Sequence, residues 1–151
     1  MTTRAITRSI ELPAPPATVF GWLVTPRAIC RWWGAERALV IPELGGYWMA
    51  AWGASPDAPD YVTAARLTRY DPPNRLALGE TRYAARAGPL PFAMVMTIEF
   101  RLEPVGPGTR LTVVQDGIPA DSIADEYHAA CLQGWTDTLA GLSRLADDPS
   151  G

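Results

Sequence analysis

The sequence predicts an α+β protein in which an antiparallel sheet carries its helices on one face. Three observations predict it. Strand-like segments follow one another through short turns rich in Gly, Pro, Asp and Asn, which is hairpin chemistry. Two short helical stretches follow the first strand, and one long amphipathic helix ends the chain. Strands grouped between helices, not alternating with them, give an antiparallel meander.

Thr3 to Leu12 alternates, with Ile6, Ile10 and Leu12 on one side and Thr7, Ser9 and Glu11 on the other. That is a half-buried strand. Arg8 falls on the apolar side and is expected to point inward. The Pro13 to Pro16 segment ends the strand, and Ala17 to Val24 reads as a short helix with Val19, Phe20 and Leu23 inward. Thr25-Pro26 breaks it, and Arg27 to Trp33 makes a second short helix that stops at Gly34. Six strand-like segments follow: Arg37 to Ile41, Tyr47 to Trp52, Tyr61 to Tyr70, Leu76 to Tyr83, Phe92 to Glu103 and Thr109 to Asp116. Gly45-Gly46, Pro56 to Pro59, Asp71 to Asn74, Gly88 to Pro91 and Gly106 to Gly108 separate them.

Ser122 to Asp147 is the last element. At 100° per residue, Ala124, His128, Cys131, Trp135, Leu139, Leu142 and Ala146 share one stripe, widened by Leu132, Thr138 and Leu145. Asp121 or Ser122 is placed to cap its start, and Asp125 and Glu126 suit the positive end of its dipole. About 24 residues of helix run roughly 36 Å, so the stripe needs a broad partner surface. The sheet supplies it. Pro149 closes the helix, leaving residues 1–148 as one domain and 149–151 as a frayed tail.

Composition narrows the function. The chain has 151 residues, 48% hydrophobic and 19% charged, with net charge −3. All 13 basic residues are Arg and no basic run occurs, so nucleic-acid binding is not expected. The absence of Lys excludes lysine Schiff-base chemistry. Cys30 and Cys131 match no metal spacing; reduced thiols are the default and a disulfide stays open. One His with two distant Cys does not make an ordinary zinc site. No phosphate-binding loop, dinucleotide fingerprint or nucleophile elbow occurs, and no cofactor or metal is expected. With no apolar leader and no apolar run near the ~18 residues of a membrane span, the expected location is cytoplasmic.

The segment IELPAPPATVFGWLVTPRAICRWWG, then Gly45-Gly46, LTRYDPPNRLAL (Leu67 to Leu78), GTRLTV (Gly108 to Val113) and His128 with Gly134-Trp135, stand in a familiar order. This order resembles the START-like (SRPBCC, helix-grip) superfamily. More narrowly it is similar to the branch named for homologues of the heat-shock-protein-90 ATPase activator, whose relatives include polyketide cyclase-like proteins. Ala35 departs from the Pro frequent after Trp-Trp-Gly in that branch, which affects one loop. The resemblance implies a curved sheet of about six to seven strands wrapped around the C-terminal helix, with a cavity between them. It spans nearly the whole chain and specifies fold more than function.

The residues support such a cavity independently. Phe92, Met94, Met96, Ile98, Phe100 and Leu102 share the apolar phase of one strand, and Trp48, Ala50 and Trp52 that of another. With Phe20, Trp22, Trp32, Trp33, Leu78, Tyr127, Cys131 and Trp135, they offer an aromatic and thioether wall for a flat apolar ligand, or else a filled core. Glu80 is in phase with Leu76 and Leu78, so its carboxylate is expected in the cavity near Arg8. Unpaired there, it serves as a base; the alternatives are an edge residue reaching solvent or one half of a structural Arg8–Glu80 pair. His128 reads either as a hydrogen-bonded core residue or as the general acid–base. Tyr61, Tyr83, Tyr127 and Gln115 are further residues suited to orient a ligand.

Three functions are compatible with this pattern. The first is binding of a small hydrophobic, aromatic or polycyclic molecule, as carrier or sequestering protein for a specialised metabolite. The second is a cofactor-independent cyclase, dehydratase or isomerase using His128 and Glu80. The third is a co-chaperone-like module, for which a chaperone partner has only the family name behind it. A homodimer stays open.

Overall fold

The computed structural model describes residues 2–55 and 57–148. The expected tail at 149–151, and Pro56 within its turn, lie outside them. The elements are β1 (Thr3–Leu12), α1 (Pro16–Val24), α2 (Pro26–Trp33), β2 (Arg37–Val40), β3 (Tyr47–Trp52), β4 (Tyr61–Asp71), β5 (Arg75–Ala85), β6 (Thr97–Val105), β7 (Gly108–Pro119) and α3 (Asp125–Asp147). The strands form one curved antiparallel sheet in the order β1-β7-β6-β5-β4-β3-β2. From β2 to β7 consecutive strands pair, and β1 closes on β7.

Each sheet strand turns its apolar phase toward the helices. Leu12, Leu67, Leu76, Leu78, Phe100, Leu111 and Val113 are buried there with Phe20, Leu23, Ile29 and Trp32. Pro16 and Pro26 sit at the first turns of α1 and α2, where a missing N–H costs nothing. Gly34 ends α2 in the left-handed conformation at φ 73°. The indole N–H groups tie these layers together. Trp32 donates to the Trp22 carbonyl at 2.8 Å, Trp48 to Leu23 at 3.3 Å and Trp52 to Trp33 at 3.1 Å.

The start of α3 differs from expectation. Neither Asp121 nor Ser122 caps it through a side chain. Ser122–Ala124 instead forms a 3-10 turn, and Asp125 is engaged by Arg4 at 2.9 Å. Asp125 and Glu126 do occupy the first turn. Along α3, the buried residues are Trp135, Thr138, Leu139, Gly141, Leu142 and Leu145, all from near its midpoint onward. The helix is gripped there because Gly141 lets its backbone approach α2; a Cβ on Gly141 would overlap the Trp32 carbonyl oxygen.

The strand expected over Phe92 to Glu103 begins only at Thr97. Pairing of β5 with β6 stops at Leu78↔Ile98, one residue before β5 bulges. Pro89 and Pro91 also remove backbone donors from the preceding stretch. The sheet therefore splits between the end of β5 and the start of β6.

Gly141→Ala tests the close approach. A residue in an exposed helix gains about 1 kcal/mol on this change, whereas overpacking costs roughly 1–3 kcal/mol. Urea unfolding is expected to give a net loss of stability. A net gain would mean that α2 and α3 have room between them.

Candidate functional site

Where the sheet splits, the N-terminal half of α3 stands away from it and leaves a cavity of about 410 Å³. Its walls come from α2 (Trp33), β3 (Trp52), β4 (Tyr61, Thr63), β5 (Tyr83), β6 and the residue before it (Ile98, Met96), β7 (Gln115) and α3 (Tyr127, Ala130, Cys131, Gly134, Trp135, Thr138). The lining contains no Asp, Glu, Arg or His. Ala130 and Gly134 are small residues on the helix face above this space, and a Cβ on Gly134 would meet nothing within 4 Å.

Trp33 is the hub of the aromatic wall. Its ring centroid lies 5.1 Å from Trp32 (stacked), 5.3 Å from Trp48, 5.2 Å from Trp135 and 5.8 Å from Trp52. A second chain of rings runs from Tyr61 to Tyr83 at 6.1 Å, Tyr83 to Tyr127 at 6.0 Å and Tyr127 to Phe92 at 5.7 Å. Offset and edge-on contacts at these distances stabilise each other beyond the area they bury.

Gln115 is the polar centre. It is 3% exposed and sits on the inward phase of β7 after Leu111 and Val113. Trp135 Nε1 donates to its Oε1 at 2.6 Å. The Gln115 Nε2 donates to Met96 Sδ at 2.8 Å and to Cys131 Sγ at 3.7 Å. Tyr127 Oη donates to the same Met96 sulfur at 3.9 Å. Burial pushes the Tyr127 phenol far above its usual range, with Cys131 adding to the shift. Burial, then Tyr61 and Cys131, raises Tyr83. Burial also raises the Cys131 thiol, against smaller opposing hydrogen bonds from Tyr127 and Gln115. These groups are neutral around pH 7, and the thiol is a poor nucleophile.

Of the residues singled out in the sequence, Trp33, Trp52, Tyr61, Tyr83, Met96, Ile98, Gln115, Tyr127, Cys131 and Trp135 line the cavity. Phe20, Trp32, Trp48 and Leu78 are instead buried in the core, and Met94 packs against it. The expected inward placement of Glu80 is corrected. Glu80 is exposed with φ 49°, and the β4–β5 register shifts between Ala64↔Arg82 and Arg66↔Gly79. One extra residue flips every later side chain, so Tyr83 faces in and Glu80 faces out. The expected inward Arg8 is also corrected. It opposes Val113, but β1 is an edge strand, and the exposed guanidinium donates to the Thr7 carbonyl at 3.0 Å. No Arg8–Glu80 pair forms. His128 is half-buried on α3 but does not line the cavity. Thr63 was not anticipated, although its phase with Ala65 and Leu67 signals it. Both cysteines are free thiols. Among the described residues no three His, Cys, Asp or Glu converge to hold a metal, and no helix is long and apolar enough to cross a membrane.

A sheet that grips the C-terminal half of one long helix, with a cavity beneath the other half, defines a helix-grip protein. Residues 13–147 match the model of the activator of Hsp90 ATPase homolog 1-like family, and the chain belongs to that family. Among solved structures it is similar to protein CV1439 from Chromobacterium violaceum, with TM-score 0.72 and 26% identity over 94% of this chain and 96% of that one. It is also similar to CalU16 from Micromonospora echinospora, with TM-score 0.67 and 20% identity over 97% and 78% of the two chains. The Aha1 dimer from Colwellia psychrerythraea gives TM-score 0.73 and 16% identity over 98% and 99%. These last two likenesses establish fold alone. No curated protein sequence matches the chain.

The raised acids give a signed stability prediction. Folding holds these protons more tightly than the unfolded chain, whose Cys and Tyr release them near 9.0 and 10.0. Their contribution is complete below those values and is lost as pH rises through the folded ones. The urea midpoint is expected to fall from about pH 8 to about pH 11, and Tyr127→Phe to shrink that fall. An unchanged fall in the variant would remove Tyr127 from the account.

Proposed function

We propose that this protein binds a small, neutral, aromatic molecule between the N-terminal half of α3 and the sheet. One observation carries the reading: the cavity wall is built of aromatic rings and sulfur and lacks any charged side chain. An unpaired charge buried there would cost several kcal/mol, whereas a flat apolar ring gains from stacking on Trp33, Trp135 and Tyr83. The volume suits a drug-sized molecule. Carriage or sequestration of a specialised metabolite in the cytoplasm is the role we attach to it. A homodimer is part of the same proposal: Leu39 and Met49 pair across β2 and β3 and stand exposed with Tyr47, and the Colwellia relative is a dimer.

A proton-moving enzyme has less support, since neither His128 nor Glu80 lines the cavity. The co-chaperone reading has the family's name behind it and no feature of this site.

Fluorene, a neutral tricyclic hydrocarbon, is a suitable probe. It is expected to quench the tryptophan fluorescence saturably. Gly134→Phe places a ring in the open space and is expected to abolish that quenching. The same change removes a mid-helix glycine, so stability is expected to rise by about 0.5 kcal/mol. Undiminished binding by Gly134→Phe would put the ligand elsewhere.

A further inference from the structure

Within the ligand-binding reading, on which this step rests, we infer that the cavity selects an aromatic molecule bearing a carbonyl oxygen at its buried end. The Gln115 amide, on the core phase of a central strand and 3% exposed, is costly unless its polar atoms are matched. An indole N–H only donates. The 2.6 Å bond from Trp135 therefore fixes the amide oxygen on that side and turns the NH₂ toward the cavity.

There its partners are two sulfurs, Met96 Sδ at 2.8 Å and Cys131 Sγ at 3.7 Å. Tyr127 Oη donates to Met96 Sδ as well, at 3.9 Å. Two strong donors thus converge on one thioether, which is a weak acceptor. An oxygen at that point would accept from both. Met96 can vacate it, because its unbranched side chain has three rotatable bonds and packs adaptably.

The donors also define what the oxygen is. No cation lines the cavity, so a carboxylate or phosphate would be buried without its counter-charge. A hydroxyl brings a further donor to a place already rich in donors. A ketone, quinone or lactone carbonyl meets both conditions, with its ring system against Trp33 and Trp135.

The test compares fluorenone with fluorene, which share a skeleton and differ by the carbonyl. The wild-type protein is expected to bind fluorenone about tenfold more tightly. The infrared carbonyl stretch of bound fluorenone is expected to shift to lower frequency than in hydrocarbon solvent. Gln115→Leu should erase both the preference and most of the frequency shift; Tyr127→Phe should reduce both. Should Gln115→Leu fail to fold, the wild-type comparison and Tyr127→Phe still decide. Equal affinities with an unshifted carbonyl would overturn the carbonyl inference and leave the apolar-ligand reading standing. Binding of neither compound would overturn that reading and this inference with it.

Discussion

The hydrogen bond from Trp135 Nε1 to Gln115 Oε1 marks the point where the sheet stops gripping α3 and the cavity begins. On its C-terminal side Thr138, Leu139, Leu142 and Leu145 are buried, and Gly141 brings the helix against α2. On its N-terminal side the small residues Ala130 and Gly134 line the cavity. One donor–acceptor pair closes the core, orients a buried amide and sets the floor of the site. Losing either partner would leave the other buried and unmatched, which costs about 1–3 kcal/mol.

The walls are held before any ligand arrives. The Trp52 and Trp135 indoles are each anchored by a hydrogen bond, and Trp33 is wedged between Trp32, Trp48 and Trp135. A cavity forfeits dispersion contacts along its lining. Here the buried core, Leu67, Leu76, Leu78 and Phe100 included, supplies the stability. Rings already fixed in place lose little further freedom when a flat molecule stacks on them. Met96 is the exception, an adaptable plug beside rigid walls.

Much of this was legible in the sequence. Period-2 alternation and turn residues located the seven strands of the described residues, with β6 begun too early at Phe92, and the 3.6-residue stripe located α3, because both patterns record which side faces the core. The aromatic wall was legible only in part. Phase places Trp48 and Trp52 on the same face of β3, but not which one ends in the core and which at the cavity. Glu80 was misplaced because period-2 phasing assumes an unbroken ladder. Gly79 before it was the available sign of a bulge. Arg8 shows the other blind spot: phase gives a direction, while an edge strand lets a long side chain turn back to water. The Gln115 node joins β7, α3 and the residue before β6, and no local pattern encodes such a meeting.

Apolar space remains between α3 and the sheet. Xenon-pressurised crystals measure this directly, because an apolar cavity takes up xenon. Xenon density is expected among Trp33, Met96 and Trp135. No xenon there, with the side chains of Met96 and Tyr127 filling the space, would contradict it.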